Sequence, residues 1–400
     1  MLSSNSVSEA IEFCESYREN PIEKLLNYQK NKNLPHQSFV RNMQEINLAV
    51  GKLDSQVRLA IDCLKKNLDK KNQRLAFMAL ETSYQVDDLF LSWNPLSSMG
   101  LYVPYRFVSS LITWLSAAAA AKVEKMAVFL AQDPMTGNPC PACLYAALLY
   151  NADILVGPAR FAFPCLAFGD GQQFLGSDLL CGPAGKHLNI LKQMSALLSM
   201  KKTDFFAGPS ELAVAIDGSE HLEQALYDLA AQIEHGPESI GHLIGVNYHV
   251  SHELIAGDLR NRVICHNLKS WNEAKNLLND LAIETIELLG KAEETNKVLF
   301  ELTQCGVAYA NLSSSLGDYC IIGRGCGDPT QGTAKFSSGI SPWLFMRMRA
   351  LVKNAQPEPS LIAAGQRLAE YECLPNHLHA ISSFSQVNLL QKKMPFFTNV

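Results

Sequence analysis

Ile154-Leu-Val-Gly-Pro158, Leu179-Leu-Cys-Gly-Pro183 and the later Gly208-Pro209 decide the architecture of this chain. Each Gly-Pro pair stands at a strand-to-helix turn, and ligands of open α/β sheets collect at such carboxyl ends. Around these turns, short apolar runs alternate with helical stretches. Met126 to Leu130 precedes a helix near Ala142 to Tyr150, Ile154 to Val156 precedes Phe161 to Phe168, and Leu179 to Cys181 precedes Leu188 to Met200, with Leu212 to Ile216 next. That is the rhythm of right-handed crossover units feeding a parallel sheet. A second set runs His242 to Val246, Val263 to His266, Leu281 to Leu288 and Gly306 to Ala310, with helices around Ser270 to Asp280 and Ala292 to Gln304. Two α/β units are therefore predicted.

The flanks have a different texture. Residues 1 to about 95 read as helical, with apolar residues at three- and four-residue steps over Val7 to Tyr17, Phe39 to Lys70 and Gln73 to Leu91. The end reads as helical again over Trp343 to Val352 and Leu361 to Ala380, which carries His377 and His379, with Pro357 and Pro359 marking a linker between. Phe107 to Ala121 is the most apolar stretch, and it falls short of the ~20 residues a spanning helix needs. A buried helix is expected there, and no membrane partner.

Composition excludes further classes. A chain of 400 residues with 48% hydrophobic and 18% charged residues can fill a large interior, enough for two or three domains. The net charge of −5, pI near 6.1 and only short basic runs such as Lys65-Lys66 argue against a nucleic-acid partner. Eleven scattered cysteines lack the even spacing of a secreted disulfide framework, and the acidic, polar first twenty residues lack a signal peptide's apolar core. A reducing cytoplasm is the expected location.

Among short motifs, Cys140-Pro-Ala-Cys143 has the form of a redox or half-zinc motif, but no second C-x-x-C completes a metal tetrad, and free thiols are expected. Gly323-Arg-Gly-Cys-Gly-Asp-Pro-Thr-Gln-Gly332 lacks the Gly-Lys-Ser/Thr ending of a P-loop and reads as a flexible active-site loop. Ala230-Ala-Gln-Ile-Glu-His-Gly-Pro237 closes an amphipathic helix with Gln232 and His235 three apart, on one face of its last turn. That spacing suits a metal ligand pair, and equally a solvated helix end. Asp318 and His377 are further donors elsewhere in the chain.

Read together, these pieces resemble histidinol dehydrogenase from about residue 20 to 385. The resemblance rests on Gly100-Leu-Tyr-Val-Pro104, Val156-Gly157 with Leu166-Ala-Phe-Gly169, Cys181-Gly-Pro183, Ala207-Gly-Pro-Ser-Glu211, Gln232-Ile-Glu-His-Gly-Pro237, Ile283-Glu284, Gly317-Asp-Tyr319, and Glu372 five residues before His377. It implies two incomplete Rossmann-like domains with parallel sheets and helical N- and C-terminal extensions. Residues 1–101 and 212–340 would form the main metal and substrate domain, 102–211 an inserted NAD-binding domain, and 341–400 a helical extension contacting the partner subunit. It implies zinc on Gln232, His235, Asp318 and His377, substrate contacts from these residues with Ser210 and Glu372, and Tyr102, Arg160 and Gly185 at NAD. The implied assembly is a homodimer that lends Glu372 and His377 across its interface, and the implied reaction oxidises L-histidinol, a small molecule, to L-histidine through the aldehyde. Two imidazoles with two oxygen donors form a chemically sensible zinc set.

The departures are as informative. The family's catalytic Glu-His dyad falls on Glu284-Thr285, which keeps the acid that activates water and loses the imidazole base. General-base help is worth roughly 10²–10⁴ in rate, so either Glu284 takes over or turnover falls to a trace. Tyr105-Arg106 stands where the family has Gly-Gly, Arg160 replaces a Gln, Gly185 an Asn, and Gly325 or Cys326 a substrate-side His. Arg106 and Arg160 could grip an anionic group or be ordinary surface arginines. Three readings follow: a histidinol dehydrogenase of reduced activity, an enzyme for another polar alcohol, the extra arginines suiting an acidic one, or a zinc-binding paralogue without turnover.

Overall fold

Strands buried on both faces announce themselves by unbroken apolar runs, and here they lie in the middle of the chain. The computed structural model describes residues 4–18, 21, 23–25, 27, 43–81, 83–169, 176–325, 327–353 and 357–393. Helices α1 (Ser4–Ser16), α2 (Met43–Gly51) and α3 (Ser55–Leu80) open the chain. The Asp54 carboxylate starts α3 by accepting the Gln56 N–H at 2.7 Å. The helix expected over Gln73 to Leu91 stops at Leu80, and an antiparallel hairpin follows, β1 (Ser83–Val86) and β2 (Leu89–Pro95). Asp87 and Asp88 form its two-residue turn, with Asp87 at φ +50°. Aspartate tolerates this left-handed conformation, and that turn chemistry overrides the weak helical periodicity.

The first sheet comprises β3 (Ser98–Val103), β4 (Lys125–Ala131), β5 (Asp153–Gly157), β6 (Leu179–Cys181) and β7 (Lys202–Thr203), all parallel, in the order β5-β4-β3-β6-β7. Its crossovers include α4 (Val108–Ala120), α5 (Pro141–Leu148), α6 (Ala162–Phe168) and α7 (Lys186–Ser199). The apolar stretch near Phe107 is thus a buried helix, and no helix among the described residues is long and apolar enough to cross a membrane.

The second sheet repeats the plan with β8 (Glu211–Ile216), β9 (Ile240–Val246), β10 (Val263–Leu268), β11 (Thr285–Leu289) and β12 (Val307–Ala310), ordered β10-β9-β8-β11-β12 and again parallel. Helices α8 (Leu222–Ile233), α9 (Trp271–Leu281) and α10 (Ala292–Glu301) connect these strands, and a short α11 (Ser315–Asp318) follows β12. In both sheets the first strand is central, with the second and third to one side and the fourth and fifth to the other. That is the doubly wound order without its sixth strand, so each half is an incomplete Rossmann-like unit.

Both sheets and the opening helices form one compact unit, residues 1–82 with 93–348; residues 83–92 with 349–400 form another. The latter holds the hairpin, most of β13 (Met346–Val352), α12 (Pro359–Tyr371) and α13 (Pro375–Lys393). Trp343 to Val352, expected to be helical, is a short 3₁₀ turn leading into β13, which joins the hairpin as a three-stranded sheet. Its alternation of Met346, Met348 and Ala350 with Arg347 and Arg349 is a period-two signal read at the wrong period.

Buried ionisable groups brace each sheet. Lys192, fully buried on α7, pairs with Asp204 at 2.5 Å and donates to the Phe205 carbonyl at 3.0 Å, while Asp204 accepts the Gly182 N–H at 2.9 Å. This braces the Gly182-Pro183 turn, where Gly182 sits at φ +126° and a Cβ would meet the Tyr102 carbonyl oxygen at 2.2 Å. In the second sheet Glu287, fully buried on β11, accepts the Ser314 N–H at 2.6 Å beside the Asp228 carboxylate. Burial first, and Asp228 next, push its pKa up to about 8.

Lys192→Met should cost about 3–5 kcal/mol in denaturant unfolding, because it strands a buried carboxylate. Glu287 is raised on folding, so its stabilising contribution is complete below the unfolded pKa of about 4.3 and is lost as pH rises to about 8. Glu287→Gln should therefore gain on the parent by up to about 1.4 kcal/mol per pH unit across that window and no further above it. Parallel stability–pH curves for the two proteins would contradict this assignment.

Candidate functional site

A cleft of about 730 Å³ lies between the carboxyl ends of the first sheet and the amino ends of the second. The first sheet lends Tyr102 at the end of β3, Arg106 and Phe107 beyond it, and the turn Pro183-Ala184-Gly185 after β6. The second lends Ser210 just before β8, Glu284 just before β11, and Gln232 and His235 where α8 ends. Asp318 and Tyr319, at the end of α11, complete the polar wall. Eight of the residues singled out from the sequence thus share one cavity: Tyr102, Arg106, Gly185, Ser210, Gln232, His235, Glu284 and Asp318.

Glu284 organises the floor. Its Oε2 accepts the Glu211 N–H at 2.9 Å and lies 3.4 Å from the buried Gln232 Nε2, which donates to it. Burial holds its pKa well above the usual carboxylate range against that backbone bond, and Asp328, Glu211 and Asp318 push the same way. Burial therefore disfavours the carboxylate form of Glu284. Asp318 is pushed up to about 6 by burial and by Asp328, with Arg324 opposing. His235 faces the cleft with its ring centroid 6.4 Å from that of Phe107, and burial lowers its pKa, favouring the neutral imidazole that metals bind. Much of the remaining lining is apolar, including Ile61, Leu64, Trp114 and Leu188, with Ser109, Ser110, Glu238 and Ser239 as polar members.

Other singled-out residues fall elsewhere. Thr285 is buried as the first residue of β11 and does not line the cleft. Arg160 lies in the 3₁₀ turn after β5, its guanidinium 5.0 Å from the Phe161 ring, also away from the cleft lining. Glu372 caps the end of α12 and His377 sits in the first turn of α13, both exposed and both in the second compact unit. Arg106, by contrast, does face the cleft, at φ +69° with its guanidinium 5.3 Å from the Tyr105 ring.

The glycine-rich loop read as flexible is tied down on both sides. Arg324 makes two bonds to Asp328, at 2.9 and 2.6 Å, Thr330 Oγ1 donates toward the Phe206 and Gly208 carbonyls, and the Gln331 N–H donates to Glu211 Oε1 at 3.0 Å. These bonds pin the chain behind Asp318 and Glu211, with Gly327 on the cleft wall. Cys326 lies outside the described residues. Glu211 and the Arg324–Asp328 pair were not singled out from the sequence, although Glu211 ends the quoted Ala207-Gly-Pro-Ser-Glu211 block.

Can these residues hold a metal? Gln232, His235 and Asp318 offer O, N and O donors without a thiolate, from one cavity, and this set fits zinc or a similar divalent ion. A second group of donors stands at the other end of β8, where Asp217, Glu220 and His221 have ligand atoms within 4.8 Å of one another. It belongs to a different edge of the sheet, and the Asp217 carboxylate is already engaged there by the Lys291 N–H at 3.1 Å.

Comparison with known proteins gives this geometry a context. The family model for histidinol dehydrogenase matches residues 3–383. A histidinol dehydrogenase from Saccharolobus solfataricus is 26% identical over 336 residues, covering 82% of this chain and 83% of that protein. Another, from Pyrobaculum aerophilum, is 27% identical over 72% of this chain and 76% of its own length. The crystal structure of histidinol dehydrogenase from Elizabethkingia anophelis superposes with a TM-score of 0.83, covering 97% of this chain and 94% of that one at 22% identity, a likeness of fold. The two incomplete Rossmann-like units and the match along almost the whole sequence lead to one conclusion: the chain belongs to the histidinol dehydrogenase family, a divergent member of this family of oxidoreductases.

Proposed function

We propose that the cleft is the active site of a zinc- and NAD-dependent dehydrogenase acting on L-histidinol or a related small polar alcohol. The observation that carries this reading is the convergence of Ser210, Gln232, His235, Glu284 and Asp318 on one cavity that Tyr102 and Gly185 also line. When bound, zinc supplies a Lewis acid for the substrate's polar atoms and NAD the hydride acceptor. Gln232, His235 and Asp318 would hold the metal, and Ser210 would hydrogen-bond the substrate beside it. Glu284, the titratable group on the cleft floor, would take the proton from the water that attacks the aldehyde; a cation nearby would lower its raised pKa and favour the carboxylate.

His377 and Glu372 complete the set in this reading, offered by the terminal region of a second copy in a swapped homodimer. The exposure of both side chains and the largely exposed faces of α12 and β13 support it. The residues 102–211 would carry NAD, residues 1–101 and 212–340 the metal and substrate, and 341–400 the contact with the partner.

A second reading has its own observation. Thr285 is buried and its short side chain does not line the cleft, so it supplies no base there. The chain would then keep the metal cage with little or no turnover.

Purified protein mixed with zinc, NAD and histidinol should form NADH slowly, and His235→Ala should lose both the bound zinc and the NADH signal. Complete absence of NADH at high enzyme concentration, with zinc bound, transfers the case to the non-catalytic reading. Thr285→His separates the two further: a gain of roughly 10²–10⁴ in kcat indicates an enzyme lacking only its base. An unchanged rate in that variant, together with its zinc content intact, indicates a paralogue built to bind.

A further inference from the structure

Outside the cleft, the first sheet carries a pair of thiols in an arrangement that the proposed chemistry does not use. Cys140 is the N-cap of α5, Pro141 is its first residue, and Cys143 lies in its first turn. The Leu144 N–H donates to the Cys140 carbonyl at 3.0 Å, so the helix is fully formed from its first turn. Residues three apart at a helix start place their side chains on one face, and here the two thiols are hydrogen-bonded to each other. Cys140 keeps 7% of its surface open to solvent, whereas Cys143 is 1% exposed. Both thiols are buried, the outer one less completely than the inner.

We propose that Cys140-Pro-Ala-Cys143 is a dithiol–disulfide site that exchanges with low-molecular-weight disulfides of the glutathione class. Cys140 sits where the unpaired amides of a helix start favour negative charge, although its side chain makes no capping hydrogen bond. With the Cys143 thiol donating to it, the Cys140 pKa falls to about 6, so it is largely thiolate at neutral pH. Cys143 is held well above the usual thiol range, first by giving its hydrogen bond to Cys140 and then by burial, so it keeps its proton until Cys140 has reacted. The division of labour is that of an attacking thiolate and a resolving thiol.

The exchange balances with the small disulfide as oxidant. Cys140 Sγ⁻ attacks one sulfur of the small disulfide, forming a mixed disulfide and releasing one small thiolate. Cys143 then loses its proton, its sulfur attacks Cys140 Sγ, and the second small thiolate leaves. Two electrons pass from the protein dithiol to the small disulfide, which becomes two thiols once protonated. This site is independent of the metal and substrate chemistry of the cleft, and its test does not read that activity.

The experiment uses the full-length chain with exposed Cys63 and Cys373 changed to serine, equilibrated in glutathione buffers from reducing to oxidising, acid-quenched, alkylated and mapped by mass spectrometry. The expected result is a reversible Cys140–Cys143 disulfide, with the fully buried Cys165 and Cys181 staying reduced. Adding Cys143→Ser should trap a glutathione mixed disulfide on Cys140, and Cys140→Ser should leave Cys143 unmodified in the folded protein. Circular dichroism matching the parent shows that each variant has folded. A peptide spanning both cysteines that remains reduced in the most oxidising buffer, or glutathione found on Cys143 in preference to Cys140, overturns the proposal.

Discussion

The site depends on one buried carboxyl group. Glu284 stands where β11 begins, held by the Glu211 N–H from the start of β8 and by Gln232 from the end of α8. A carboxyl group in this position costs free energy to ionise and is kept only because its neighbours fix it in place. The constraint spreads outward: Glu211 receives the Gln331 N–H, the Arg324–Asp328 pair anchors that loop, and the same loop backs Asp318. Charged residues that look scattered in sequence form one chain of contacts beneath the cleft.

The two sheets share a winding order yet contribute to the cleft from opposite ends. The first gives its carboxyl ends, the usual ligand side of an open α/β sheet. The second gives its amino ends, and at its own carboxyl ends the Asp217 carboxylate accepts the Lys291 N–H. A Cβ at Gly290 would meet that carboxylate at 2.5 Å, so the place where a phosphate group would approach is already filled by an acid. At the first sheet, by contrast, Arg106 faces the cavity.

Much of this was legible in the sequence where one physical signal dominates. Parallel strands buried on both faces gave continuous apolar runs, and Gly157-Pro158 and Gly182-Pro183 marked strand-to-helix turns, whereas Gly208-Pro209, expected to be a third, leads directly into β8 without a helix. Gln232 and His235 were found through helical spacing, and Asp318 and Glu284 through resemblance of their flanking residues. The hairpin at residues 83–95 was hidden because its turn uses Asp87-Asp88 without the glycine that usually advertises a left-handed position. The strand Met346–Val352 reads as helix in the sequence because its arginines and apolar residues fit both periods over so short a run. The bracing of the glycine-rich loop by Arg324 and Asp328 left no local trace, since an i,i+4 ion pair outside a long helix carries no periodic signal.

The most direct measurement of the central claim is anomalous diffraction at the zinc edge from crystals of the full chain grown with zinc. The account predicts one ion per chain in the cleft, about 2.0–2.2 Å from an imidazole nitrogen of His235 and a carboxylate oxygen of Asp318, with the Gln232 oxygen among its ligands. An empty cleft in such crystals, or an ion held by Asp217, Glu220 and His221 instead, contradicts it.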